Sequence, residues 1–169
     1  MADSKRDILI VGLRNAYALE GQALSTMRNV EGRLENYPEL KAAVTRHITE
    51  TEGQQRMVEE CLGRFDETPS ALKEFATKLA GNLQAMAHAV AGDEVLKDMF
   101  ALFAFEHFEI ASYRSLIAMA EGVGETSVVQ TCQTILRQEE ATAERLGRLI
   151  EPVTKAYADR ESSGVKADR

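Results

Sequence analysis

Apolar residues recur along this chain at alternating steps of three and four positions, which is the spacing of one face of an α-helix. The pattern runs without a slip between residues 9 and 34, and similar stripes follow over 99–120 and 129–150. Such spacing favours helices that pack at a shallow angle in a bundle. No run of alternating β-branched residues predicts a strand. The sequence therefore predicts an all-α protein.

Prolines and glycines mark the ends of the predicted helices. Pro38 and Pro69 stand where helices should begin, and the Gly-Val-Gly sequence at 122–124 is typical of a tight turn between two helices. We expect five helices, over about residues 5–35, 39–63, 70–91, 94–121 and 126–157. They form one domain, 1–157, followed by a polar and flexible tail, 158–169.

The charge of the chain excludes one class of partner. Its 169 residues carry 20 Lys and Arg against 27 Asp and Glu, a formal net charge of −7. Nucleic-acid binding needs clustered positive charge, so we expect no nucleic-acid partner. The apolar patch near the N-terminus is broken by Gly12 and Arg14, so we expect no membrane partner. Cys61 and Cys132 form no CxxC motif and fit buried thiols in the reducing cytoplasm.

Glutamates interrupt the apolar stripes. The stripe of the helix over 94–121 is Met99, Phe103, Glu106, Ile110, Tyr113, Ile117 and Ala120. Glu20 and Glu139 hold the matching places in two other stripes, and the helix over 39–63 adds His47, Glu50 and Gln54. A buried carboxylate is unfavourable unless it is paired or binds a metal, because its desolvation is costly. A single one is more simply explained by a salt bridge, but basic residues lie off the stripes. A bound cation is therefore the natural counter-ion.

The positions of the turns predict that these carboxylates lie at one level. Glu106 and Glu139 are equidistant from the turn at 122–124, and the midpoints between Glu20 and either Glu50 or Gln54 lie at residues 35 and 37, beside the break at 36–38. Residues equidistant from a short turn lie at the same height in an antiparallel helix pair. With 70–91 as a long crossover, two such pairs would bring the four carboxylates into one cavity. Oxygen-rich sites with an imidazole suit iron or manganese better than structural zinc.

Four segments of the sequence resemble those of a known protein family. They are AYALE at 16–20, HITET at 47–51 with Gln54, EHFEIASY at 106–113 and QEEAT at 138–142. In these segments the chain resembles the YciE/YciF group of bacterial stress-associated proteins, which belongs to the ferritin-like superfamily. The similarity extends over residues 6–150.

The resemblance implies a ferritin-like antiparallel four-helix bundle with an extra helix in the long crossover, and a homodimer. It also implies a carboxylate-bridged di-iron centre; manganese is our second choice of metal. Carried over position by position, the ligands would be Glu20, Glu50, Glu106 and Glu139, with Gln54, His47 and Glu109 as candidates for the remaining places.

The chain departs from the Glu-x-x-His motif that is usual in this superfamily, because Gly53 stands three residues after Glu50 and Thr142 three after Glu139. Two functions therefore stay open. One is a cytoplasmic non-haem iron protein of the bacterial stress response that oxidises Fe(II) or consumes oxygen or peroxide. The alternative is a non-enzymic structural or interaction dimer whose metal site is weak or lost.

Overall fold

The structure is a computed structural model that describes residues 2–68, 72 and 94–167. Within these residues the chain forms four helices and no strand: α1 (Ala2–Glu31), α2 (Pro38–Gly63), α3 (Glu94–Val123) and α4 (Thr126–Ser162). The all-α prediction is confirmed. The predicted helix over 70–91 lies, apart from Leu72, outside the described residues.

The helices form a bundle in which α1 and α4 each pack against both α2 and α3. One apolar cluster joins the start of α1 and α4 to the ends of α2 and α3, and a second cluster joins the opposite ends. Helices α1 and α4 therefore run in one direction, and α2 and α3 run in the other. Because α2 and α3 are parallel, the end of α2 and the start of α3 lie at opposite ends of the bundle, as the predicted crossover requires.

Local signals mark both predicted turns, although α1 ends at Glu31 rather than near residue 35 and α3 at Val123 rather than 121. Pro38 is the first residue of α2, a position where its missing N–H needs no partner. After α3, Gly124 adopts a positive φ of 77° and the backbone N–H of Glu125 donates to the carbonyl of Ala120 at 2.9 Å. A glycine in this conformation closes a helix without the steric cost of a Cβ.

Helix α4 is longer than predicted. It passes the expected end at 157, tolerates Pro152 in its interior, and continues to Ser162. The carbonyl of Ala167 then accepts a hydrogen bond from Tyr37 Oη at 2.6 Å, and Ala167 is buried. The expected domain boundary at 157 therefore lies inside a helix, while the flexibility of the tail stays a prediction.

The buried face of α1 agrees with its predicted stripe, but that of α3 is rotated. All eight stripe positions between Leu9 and Leu34 are buried. In α3 the buried positions are instead Val95, Met99, Leu102, Glu106, Glu109, Tyr113, Leu116 and Ala120. Helix α3 is apolar on nearly every side, so its pattern does not select one face, and packing against α1 and α4 decides. Even so, no described helix is long and apolar enough to cross a membrane.

Candidate metal centre

Six of the predicted polar residues form a buried layer in the middle of the bundle, between the two apolar clusters. They are Glu20 of α1, His47 and Gln54 of α2, Glu106 and Glu109 of α3, and Glu139 of α4. None of them exposes more than 2% of its surface. Every helix of the described bundle therefore contributes at least one polar side chain to this layer.

Four of these side chains lie within reach of a single ion. One ligand atom from each of His47, Glu106, Glu109 and Glu139 lies within 4.8 Å of the others. His47 Nε2 is 2.9 Å from Glu106 Oε1. Glu20 is close enough to His47 and Glu106 for their charges to change its pKa. The layer thus offers one group of four ligands with a fifth carboxylate beside it.

Most carboxylate oxygens of the layer have no hydrogen-bond partner among the described residues. The unpartnered side-chain oxygens are Glu20 Oε2, Glu106 Oε2, Glu109 Oε1, both oxygens of Glu139, Gln54 Oε1 and Thr51 Oγ1. A buried acceptor that nothing satisfies costs about 1–3 kcal/mol. A cation that takes oxygen ligands would satisfy several of these atoms at once. The residues present therefore fit a metal ion.

Burial favours the protonated form of these carboxyl groups. Desolvation, with repulsion from Glu106, raises the pKa of Glu20 from 4.5 to about 8 and the pKa of Glu139 to about 10. Burial and the neighbouring carboxylates also raise the pKa of Glu109 well above 4.5. A metal ion has to displace these protons, so its affinity should increase with pH.

His47 carries the positive charge of the layer. Burial alone lowers its pKa, but the neighbouring carboxylates of Glu106 and Glu50 and the charge of Glu139 outweigh burial and raise the pKa to about 10. Its ring nitrogens face different groups: Nε2 faces Glu106, while Nδ1 lies 3.5 Å from Thr142 Oγ1. Metal binding through the imidazole would require loss of its extra proton.

Tyr113 of α3 sets the direction of the Glu20 carboxylate. Its hydroxyl donates a hydrogen bond to Glu20 Oε1. Burial and the charge of Glu20 raise the pKa of Tyr113 well above 10, so the phenol stays a neutral donor. Glu20 Oε2 is left without a hydrogen-bond partner.

Glu50 is placed at the rim of the layer rather than inside it. Its side chain is 21% exposed; Arg46 Nε is 2.9 Å from Oε1 and Arg145 Nη1 is 3.6 Å from Oε2. The nearby His47 and the two arginines lower the pKa of Glu50 to about 2, against the effect of burial. The expectation that no basic residue neutralises these carboxylates is therefore wrong for Glu50, because Arg145 reaches it across the α2–α4 contact.

Gln54 lies in the layer without joining the group of four, and three neighbouring residues were not predicted. Gln54 Nε2 donates to Gln138 Oε1 at 3.2 Å. Thr51 lies three residues before Gln54, on the same helix face, and this spacing could have revealed it. Gln138 and Arg145 carry no such signal, because only the packing of α4 on α2 brings them to the site.

The donor set indicates the kind of metal. Several carboxylates with one imidazole are typical ligands of iron or manganese, whereas thiolates would favour zinc or copper. Cys61 and Cys132 are free thiols in an apolar cluster outside the layer, and burial raises the pKa of both.

Solved structures of several bacterial proteins share this architecture. A protein of Xanthomonas campestris pv. campestris is 35% identical, with a TM-score of 0.78 over 94% of this chain and 99% of its own. The Escherichia coli stress protein YciF is 24% identical, with a TM-score of 0.66 over 86% of this chain and 94% of its own. A two-domain protein of Anabaena variabilis with a ferritin-like domain is 19% identical, with a TM-score of 0.67 over 85% of this chain and 39% of its own.

These similarities confirm the predicted ferritin-like four-helix fold, which the chain shares with YciF. Residues 4–159 match DUF892, a family described as a domain of unknown function. Because that match extends over most of the 169 residues, the chain belongs to the DUF892 family.

Proposed function

We propose that this protein is a non-haem iron protein that holds one or two iron ions in its buried layer, with manganese as the second choice. The main support for the proposal is the set of buried carboxylate oxygens that have no hydrogen-bond partners. The proposed ligands are His47, Glu106, Glu109, Glu139 and Glu20; Gln54 lies beside them, and Glu50 lies at the rim outside the ligand set. Two ions would need bridging carboxylates, and Glu106 and Glu139 are close enough to interact directly.

The side chains around the site would hold the ligands in place and keep water out, which favours redox chemistry at a bound metal. Bound iron would supply electrons to oxygen or peroxide, and substrate iron would be oxidised in the same place. The apolar clusters above and below the layer exclude water, and Tyr113 holds Glu20 by a hydrogen bond. Because the Glu-x-x-His motif is absent, His47 is the one imidazole within the described layer. We therefore expect slower oxidation of Fe(II) than in ferritins.

The proposed setting is a stress response in the bacterial cytoplasm. YciF is described as a stress protein, and its fold is shared by this chain. The two free, buried thiols support a reducing compartment. A protein that binds iron and removes oxygen or peroxide would limit oxidative damage there.

Protein purified without chelator should contain about one to two iron or manganese ions per chain, because a bound cation would satisfy the buried glutamate oxygens that lack hydrogen-bond partners. Elemental analysis measures this directly, and anaerobic titration with Fe(II) measures the remaining capacity. Fewer than about 0.1 ion per chain, with no Fe(II) uptake, would contradict the proposal, since iron(II) should fill carboxylate–imidazole sites readily.

The structural alternative has its own support. Ile8 and Val11 of α1 and Phe100 and Phe108 of α3 are exposed, and large exposed apolar residues favour association. We propose a homodimer that uses these faces. In sedimentation equilibrium the wild type should be a dimer, and Phe108→Ser with Val11→Ser should shift it toward monomer. A dimer that holds iron but consumes neither oxygen nor peroxide would favour the non-enzymic function.

A further inference from the structure

Glu50 connects the buried layer with the surface between α2 and α4. Its two carboxylate oxygens face opposite ways. Oε1 accepts a hydrogen bond from Arg46 Nε at 2.9 Å, on the solvent side. Oε2 accepts one from Thr142 Oγ1 at 3.3 Å and lies 3.9 Å from His47 Nδ1. Because His47 Nε2 contacts Glu106, a continuous line of polar atoms leads from solvent to the ligand group.

A surface groove opens beside this line. It has a volume of about 630 Å³ and is lined by residues of α2 and α4, including Arg46, Arg145 and Arg148. Arg145 turns inward, with Nη1 3.4 Å from Thr142 Oγ1 and 3.6 Å from Glu50 Oε2. Arg145 therefore contacts Glu50 Oε2, the carboxylate oxygen that faces the buried layer.

The opposite side of the bundle offers no comparable path among the described residues. The groove between α1 and α3 measures about 340 Å³, and its lining includes Leu19, Phe108 and Met119. On this side Glu20 Oε1 already accepts a hydrogen bond from the buried hydroxyl of Tyr113. The polar lining residues of this groove are Asn15, Ser112 and Ser115, and no carboxylate lines it, so a hydrated cation would meet no charged ligand there to replace its lost water.

We propose that a divalent cation reaches the buried layer through the α2–α4 groove, where Glu50 takes it from solvent and passes it inward as Arg145 is displaced. This access route rests on the proposed metal binding, and it gives Glu50 and Arg145 a role other than that of permanent ligand or structural ion pair. Glu39 and Glu144 line the groove itself, but Glu50 is the partly exposed carboxylate that also contacts the residues of the buried layer, so it is the one that can pass a cation inward. Partly exposed ion pairs are weak, so the cation can replace Arg145.

The rate of metal uptake distinguishes a role of Glu50 in the access route from a role as a permanent metal ligand. Metal-free protein is mixed anaerobically with Fe(II), or with Co(II) as an absorbing probe, in a stopped-flow instrument. Glu50→Gln should slow uptake about tenfold or more, since charge at an entrance changes association rates by at least that factor. The final number of ions per chain should stay that of the wild type. Arg145→Gln should instead accelerate uptake severalfold, because it frees Glu50 Oε2.

Two matched controls locate the route. Arg148→Gln removes a charge from the same groove, but Arg148 pairs with Glu144 rather than Glu50, so the rate should change far less than in Glu50→Gln. Ser115→Lys places a positive charge in the α1–α3 groove and should also leave the rate unchanged. Thermal unfolding of each variant verifies that the fold is intact.

The outcomes are distinct. If the wild type binds neither Fe(II) nor Co(II), the proposed metal function fails, and the access route fails with it. If all variants load fully at the wild-type rate, only the access route is overturned. Fewer ions per chain in Glu50→Gln would make Glu50 a ligand, and slower uptake in Ser115→Lys alone would move the route to the α1–α3 side. Either result overturns the proposal.

Discussion

Replacing Glu139 by Gln should abolish tight iron binding while making the metal-free protein more stable. Glu139 is fully buried, neither of its oxygens has a hydrogen-bond partner, and burial raises its pKa from 4.5 to about 10. At pH 7 the folded protein must keep this carboxyl group protonated, although the unfolded chain releases the proton. Since one pKa unit corresponds to about 1.4 kcal/mol, the neutral amide should raise the free energy of unfolding by about 2–4 kcal/mol.

Denaturant unfolding of the metal-free variant at pH 7 measures this effect, and anaerobic titration with Fe(II) measures the loss of binding. Glu140→Gln is the matched control, because Glu140 is the next residue on α4 but lies at the surface with Arg114. This control should change stability by less than about 1 kcal/mol. If Glu139→Gln instead destabilised the protein by about 3–5 kcal/mol, Glu139 would have a cationic partner in the folded chain.

Raising the pH from 6 to 9 should strongly destabilise the metal-free protein. The folded-state pKa of Glu20 is about 8, and those of Glu139 and His47 are about 10; all three lie above their ordinary values. Glu109 is shifted in the same direction. A group with a raised pKa contributes its full stabilisation below its unfolded-state pKa and loses it as the pH rises through the folded-state pKa. Glu50 acts oppositely, but its stabilisation is complete above pH 4.5.

Each of these groups contributes up to about 1.4 kcal/mol per pH unit, so the free energy of unfolding should fall by at least about 3 kcal/mol across this interval. Urea unfolding in the presence of a chelator, at several pH values, tests this expectation. Glu139→Gln should flatten the dependence. Added Fe(II) under anaerobic conditions should reverse it, because ligands that have released their protons bind metal more tightly as the pH rises. A flat profile in the metal-free wild type would show that the carboxyl groups are solvated or paired.

Much of the fold could be predicted from periodicity because α1 has one clear apolar face. All eight predicted positions from Leu9 to Leu34 are buried, and Pro38 and Gly124 stand at the predicted turns. The turns also determine the level of each residue along a helix pair. For this reason Glu20, Glu106 and Glu139 could be assigned to one layer without knowledge of the packing.

The face of α3 could not be predicted in the same way. Phenylalanines and small apolar residues surround this helix, so a stripe through Ile110 was as consistent with the sequence as one through Glu109. The structure buries Glu109 and leaves Ile110 partly exposed, because α3 has to pack on α1 and α4 at once. Glu109 thereby joins the ligand group, for which the sequence alone made it only a candidate through the family resemblance.

The sequence by itself determined that this protein is a helical bundle with a polar layer at mid-height, since helical period and turn position depend only on residues close in the chain. Only the tertiary structure decided which carboxylates face one another and which one meets solvent. Glu50 and Glu139 look equivalent along the chain, yet Arg145 holds Glu50 at the rim while Glu139 is fully buried. That difference arises from the rotation and spacing of α2 against α4, which contacts distant in sequence determine.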